Sequence, residues 1–171
     1  KLQIVVQGRG GHAAQPHQTV DAVVVAAQIV VALQTIVARN LSPEEAGVVT
    51  IGSIHAGNAG NVIADSAELR GSIRSFSRET RALLHRRVKE VAEGVAAALG
   101  AAAEATVILG VDATINAPAP TAVVYDVATE LLGKQQVDTT YRTTAGEDFS
   151  EVLAAVPGNF FFLGSRNERT Y

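Results

Sequence analysis

Leu2, Ile4 and Val6 recur at every second position at the start of the chain, a period of two that predicts a strand over Lys1 to Gln7. The glycine-rich run Gly8-Arg9-Gly10-Gly11 ends it. From Thr19 to about Asn40 the residues are too many for a usual strand and predict a helix, with Thr19 as candidate cap and Asp21 near the positive end of the helix dipole. Gly47 to His55 reads as a second strand. Ile63 to Phe76 reads as a third, with Ile63, Ala67, Leu69, Gly71 and Ile73 on one face and Glu68, Arg70, Ser72 and Arg74 on the other. Ser77 is placed to cap a second helix whose apolar residues, Leu84, Val88, Val91, Val95 and Leu99, are three and four apart. Gly100 ends that helix, and Ala101 to Gly110 predicts a fourth strand.

Strand, helix, strand, strand, helix, strand is the order of the split βαβ arrangement. The expected fold is therefore α+β: a ferredoxin-like βαββαβ domain over residues 1–113, with two helices on one face of an antiparallel sheet. Beyond it the pattern changes. Asn116 to Pro120 resembles a linker, Thr121 to Leu132 a helix, Val137 to Thr143 a strand, Gly146 to Ala155 a helix, and Asn159 to Leu163 an apolar strand. Two strands cannot build a stable parallel sheet. Residues 114–171 are accordingly expected to be a partial α/β segment that needs other chain to complete it.

Composition narrows the chemistry. The 171 residues are 47% hydrophobic and 18% charged with a net charge of −3, enough for one domain and a fraction. There is no Cys, which removes disulfides, thiolate metal sites and a cysteine nucleophile; with no Met either and Lys1 first, a piece of a longer protein is expected. Basic residues are scattered apart from Arg81, Arg86, Arg87 and Lys89, so no nucleic-acid partner is expected. The apolar stretch Ala22 to Ala38 is interrupted by Gln28 and Gln34, which argues for a buried helix rather than a membrane span. No signal-peptide pattern stands at the start, and the cytoplasm is the default compartment.

Residues with chemical potential fall outside the hydrophobic periodicity. His12 and His17 flank Pro16 in a glycine-led loop; they lack the i,i+4 spacing of a helical zinc pair, and such loop histidines are solvated, capping, or donors to a developing negative charge. Asn58 and Asn61 lie in a turn-forming run, where an Asn occupies a special backbone conformation or offers its amide to a ligand. Arg74 suits a surface ion pair or a bidentate clamp on a carboxylate. Glu147 and Asp148 stand at a predicted helix start. With four His and no His-x-His, HExxH, P-loop or GxSxG string, the chain offers no self-sufficient catalytic centre.

Three strings carry a resemblance: Gly-Arg-Gly-Gly-His-Ala-Ala-Gln-Pro-His (8 to 17), Ile-His-Ala-Gly-Asn-Ala-Gly-Asn-Val-Ile (54 to 63) and Ala-Glu-Leu-Arg-Gly-Ser-Ile-Arg-Ser-Phe (67 to 76). Together they resemble the lid segment of the aminoacylase/carboxypeptidase metallopeptidase family, nearest the amidohydrolase branch with hippurate hydrolase and indole-acetyl-amino-acid hydrolases. Gly-Glu-Asp-Phe (146 to 149) and Pro-Gly-Asn-Phe-Phe-Phe-Leu-Gly (157 to 164) resemble the returning part of that family's catalytic domain. The resemblance implies a homodimer joined through the lid, an N-acyl amino acid substrate, and two divalent metal ions, zinc or manganese. By it, His12 resembles the lid histidine that reaches the partner's site and stabilises the oxyanion. Asn61 and Arg74 resemble the lid residues that hold the oxyanion and the substrate carboxylate. Glu147 and Asp148 stand beside the metal site, and Ala64 replaces a usual Pro. The family's metal ligands lie in segments not present here, so the 171 residues alone are expected neither to bind the metals nor to turn over substrate. The alternative, of another class, is a non-catalytic ferredoxin-like module for dimerisation or ligand binding, with Gly47 to His55 as a pairing edge strand.

Overall fold

β1, Leu2–Gln7, buries Leu2, Ile4 and Val6 while Gln3 and Val5 face the other way, as the period of two requires. In the computed structural model, which describes residues 1–164, it is an inner strand of a four-stranded sheet. Its antiparallel neighbours are β5, Ser66–Ser75, and β6, Ala102–Val107; β3, Gly47–Ala56, pairs antiparallel with β5 and forms one edge. A separate ribbon of two residues per strand joins β2, Gly11–His12, to β4, Val62–Ile63. The ferredoxin-like order stands, with the predicted third strand divided: it breaks at Ala64 and Asp65, where the Gly8 N–H donates to the Asp65 carbonyl at 2.7 Å. The last strand is shorter than Ala101 to Gly110, because pairing with β1 stops at Val107.

Two helices cover one face. α1, Ala22–Asn40, begins three residues later than Thr19 predicted, since Asp21 is the cap: its Oδ1 accepts from the N–H groups of Val23 at 2.8 Å and Val24 at 3.3 Å. Thr19 turns back and donates to the Pro16 carbonyl. Although α1 is apolar and long enough to cross a bilayer, it packs Ala22, Val25, Ala26, Ile29, Leu33 and Ile36 into the core against β3 and α2. α2, Arg78–Ala98, is capped by Ser77 as predicted, with the Thr80 N–H donating to Oγ at 3.0 Å. Its buried stripe is Leu84, Val88, Ala92 and Ala96 rather than the valines at 91 and 95, which are only half-buried, and Leu99, which is exposed. The four buried residues form one i,i+4 row, and Val91 and Val95 pack along its margin. Gly100, at φ +78°, closes α2: its N–H donates to Ala97 and that of Ala101 to Ala96, the reciprocal pair of a Schellman motif.

The edge strand is bent. Register shifts between Ile51 and Ser53, and a Cβ at Gly71 would lie 2.0 Å from the Thr50 carbonyl oxygen. Only glycine admits that approach.

Contacts divide the chain at Gly110, giving units Lys1–Gly110 and Val111–Tyr171. In the second unit, α3, Pro118–Leu132, starts earlier than Thr121 because a proline suits the first helical position, and α4, Phe149–Ala155, is shorter than predicted. Val137 to Thr143 and Asn159 to Leu163 are not strands. Neither apolar segment has a ladder partner among the described residues; the Asn116 side chain instead serves the second, accepting from the Phe160 N–H at 2.7 Å and donating to its carbonyl at 2.8 Å. Ser150 is the one buried residue among this unit's described residues, while Ile115, Leu131, Phe161 and Phe162 are exposed. The 114–171 segment predicted from sequence runs past 164, outside the described residues.

Leu33→Ala is expected to lower stability by about 2–5 kcal/mol in urea unfolding, through lost transfer energy and the cavity left. Val31→Ala, at a position 66% exposed on the same helix, is expected to cost no more than about 0.5 kcal/mol. Equal losses at both would contradict the buried stripe of α1.

Candidate functional site

His12 ends the two-residue strand β2, opposite Val62. The Ala13 N–H donates to the Asn61 carbonyl at 3.1 Å, so the ribbon brings His12 and Asn61, 49 positions apart in sequence, to one end of the sheet. Both side chains are exposed. Glycines make the approach possible: a Cβ at Gly8 would stand 2.2 Å from the Val20 carbonyl oxygen, and one at Gly10 2.8 Å from that of Ile63. Beyond the ribbon, the Gln15 N–H donates to the His12 carbonyl and the Thr19 N–H and hydroxyl both donate to Pro16, folding 12–19 into two linked turns.

The imidazole is oriented within this turn. The Ala14 N–H donates to His12 Nδ1 at 3.1 Å. A nitrogen that accepts carries no proton, so the neutral ring holds its proton on Nε2 and offers it as a donor. His17 lies in the adjoining 3-10 turn, with its Nε2 3.4 Å from the Gln18 amide, and does not converge with His12 on a common partner.

Arg74 is elsewhere. It stands near the far end of β5, opposite Val48, and eight residues of extended strand, roughly 26 Å, separate it from Ser66 at the ribbon end. One protomer therefore does not unite Arg74 with His12 and Asn61. Glu147 and Asp148 belong to the second unit: Glu147 accepts from the Phe149 N–H at 3.4 Å, and Asp148 precedes α4 without a side-chain capping bond.

A second polar group escaped the sequence reading. On the sheet face opposite the helices, Arg70 Nε donates to Glu68 Oε1 at 2.9 Å and Nη2 to Oε2 at 3.1 Å, while Gln3 Nε2 donates to Glu68 Oε1 at 2.5 Å. These bonds, that from Arg70 foremost, hold the Glu68 carboxyl below its ordinary range and raise the Arg70 guanidinium. His55 stands opposite Glu68 on β3. Alternation places Glu68 and Arg70 on one face, but Gln3 joins them only through the β1–β5 register.

Among the described residues no group of three or more His, Cys, Asp or Glu is placed to hold a metal ion. The residues present do not fit a metal centre. What they form is a set of hydrogen-bond donors and cations on a four-stranded lid-like sheet.

An α+β domain with a histidine ribbon at one end of its sheet and an arginine near the other defines the class. Residues 1–107 match the family described as the peptidase dimerisation domain of M20 enzymes, and the chain belongs to that family. It is 40% identical over 171 residues to an N-acetyldiaminopimelate deacetylase of Streptococcus thermophilus, across 96% of this chain and 44% of that protein. It is 36% identical over 171 residues to an N-acetyl-L-cysteine deacetylase of Bacillus subtilis, across 100% of this chain and 41% of the relative. Among solved structures it resembles the Bacillus subtilis YXEP protein, described as a dinuclear metal binding peptidase from the M20 family. That match has a TM-score of 0.71 and 29% identity, over 93% of this chain and 38% of the other. The chain thus spans less than half the length of the curated relatives it matches.

The lowered Glu68 carboxyl sets a pH dependence. Because its folded value lies below the ordinary 4.5, the stability it contributes is present above that value and lost as pH falls through the folded one. Urea unfolding at descending pH is expected to show a loss below about pH 4.5 that Glu68→Gln reduces, the remainder including that of Asp138, which is lowered by its bonds from Thr140. Parallel profiles for the two proteins would refute the assignment.

Proposed function

We propose that the chain is the lid and part of the catalytic domain of a metal-dependent amidohydrolase that cleaves the amide bond of N-acylated amino acids as a cytoplasmic homodimer. The observation that carries this reading is the His12 ring. Its Nδ1 is occupied by the Ala14 N–H, leaving Nε2 as a fixed donor on an exposed turn. A donor held in place before reaction stabilises the negative oxygen that develops when an amide carbonyl is attacked, without reorganisation at that moment. Asn61, on the same ribbon, adds an amide to that oxygen, and Arg74 matches a carboxylate bidentately. Glu147 and Asp148 belong beside the metal site.

Homodimerisation explains the separation of Arg74 from the ribbon. β3 is the edge of the sheet, and α1, which packs on it, exposes Val23, Val24 and Val31. Antiparallel pairing of β3 with its copy across a two-fold axis lays the Val48 end of one protomer beside the His55 end of the other. Arg74 pairs with Val48, and the ribbon follows from the His55 end. The self-paired sheet therefore brings Arg74 of one subunit toward His12 of the partner subunit, and each site draws on both chains.

The relatives' names support an N-acyl amino acid substrate, and the neighbour described as dinuclear supports two ions, zinc or manganese in this reading. No ligand set for such ions stands among the described residues. Such ions would supply an activated water, while in this chain Arg74 would bind the substrate carboxylate and His12 and Asn61 would stabilise the oxyanion.

In the full-length protein, His12→Ala is expected to lower kcat by about 10²–10³, the cost of one oxyanion donor. Mixing His12→Ala with Arg74→Ala subunits is expected to restore roughly a quarter of wild-type activity, because about half of the dimers are mixed and each carries one intact site. No recovery on mixing would refute the shared site. A full-length protein inactive on N-acyl amino acids with either ion would favour the non-catalytic module.

A further inference from the structure

The margin of the domain that carries β3 continues past both ends of that strand. After Ala56 the chain enters a loop that, with the first turn of α1, encloses an open groove of about 570 Å³. Asp21 and Val23 wall it on the helix side, Gly57 to Gly60 on the loop side, and Ala13 and Ala64 complete the lining. Small and aliphatic residues dominate it, and its acid is committed elsewhere, since Asp21 Oδ1 caps α1 through Val23 and Val24. Gly60 stands in open space. A Cβ there meets nothing of its own chain within 4 Å, and its φ is not positive, so neither crowding nor conformation within the chain requires glycine. Such a position suits the close approach of another backbone.

Before Gly47 the chain projects instead. The Glu45 N–H donates to the Ser42 carbonyl at 2.9 Å and closes a turn that is tied down on both sides. Leu41 packs on the core beneath Gly47, where a Cβ would come within 2.5 Å of its Cδ1. Glu45 Oε2 accepts from the Thr80 hydroxyl at 2.7 Å, and Thr80 accepts from Ser77 at 2.9 Å. Pro43 and Glu44 are left exposed at the tip. A projection held in shape before binding loses little entropy when it docks.

We propose that the Pro43 tip of each subunit seats in the Gly57–Gly60 groove of the other, adding two contacts beyond the paired strands. This rests on the reading of the chain as a homodimer joined through β3. Two-fold pairing sets the Gly47 end of one strand beside the Ala56 end of its copy, so the turn that precedes Gly47 runs on alongside the loop that follows Ala56 in the partner. The occupant is therefore a second copy of this chain. Its tip brings a compact apolar ring to a lining of small residues, and the two-fold axis makes the contact twice. The groove adjoins the ribbon through Ala13, next to His12, and through the loop that leads to Asn61.

Subunit exchange in the full-length protein tests this: tagged and untagged dimers are mixed, and the mixed dimer is captured over time. Gly60→Leu, which its own chain accommodates, is expected to speed exchange on the order of tenfold by overpacking the groove, and Pro43→Gly to speed it by removing the tip. In the double variant the two effects are expected to fall short of additive, because the leucine then meets a smaller tip. Ala59→Leu fills the same groove from the neighbouring position and takes the place of Gly60→Leu if melting curves show that variant to be unfolded. Exchange at the wild-type rate after filling the groove, or independent effects of the leucine and Pro43→Gly, overturns the proposal. The underlying reading fails differently: the wild type then sediments as a monomer and no mixed dimer forms.

Discussion

Three backbone segments meet where β1 ends, and they meet closer than side chains allow. The Gly8 N–H reaches the Asp65 carbonyl at 2.7 Å, Arg9 and Val20 exchange a pair of hydrogen bonds at 2.9 Å each, and the Ala22 N–H donates to Ala64 at 3.3 Å. This junction seats the start of α1, the start of β5 and the His12 ribbon against one another. The ribbon has only two residue pairs and could not persist alone, so its geometry is borrowed from the sheet through these bonds. Substituting either Gly8 or Gly10 would displace a carbonyl oxygen rather than a flexible side chain, and packed backbones yield little.

How much of this was legible follows from the range over which each interaction acts. Elements governed by local periodicity and capping could be read directly: the alternation of β1, Ser77 at the head of α2 and Gly100 at its end all rest on residues within one turn of one another. Asp21 took the cap from Thr19 because the 16–18 turn claimed the threonine first, a competition that neighbouring residues do not announce. Val137 to Thr143 and Asn159 to Leu163 have strand-like composition, yet a strand exists only with a partner, and composition does not supply one.

The candidate residues divide in the same way. His12, Asn61 and Arg74 were marked by residue type and by family-like strings. Their arrangement depends on the pairing of His12 with Val62, 50 positions away, and of Arg74 with Val48, 26 positions away, which no local pattern encodes. The tautomer of His12 rests on a single amide two residues away and became visible only once the turn was folded. Gln3, Glu68 and Arg70 show the opposite case: the shared face of the last two was plain from alternation, but Gln3 could enter only through the register of β1 with β5.

The open sheet face gives the proposed dimer a role beyond burying an edge. Along β5 it orders Glu68, Arg70, Ser72 and Arg74 at intervals of about 6.7 Å, from the ribbon end toward the far end. Within one chain the His12 ribbon and Arg74 lie at opposite ends of this row, roughly 26 Å of strand apart and too far for one small substrate. In the proposed dimer, with β3 paired to its copy, the far end of each row would adjoin the donors of the other chain. In that arrangement the length of the strand would set the distance between Arg74 of one subunit and the oxyanion donors of the other.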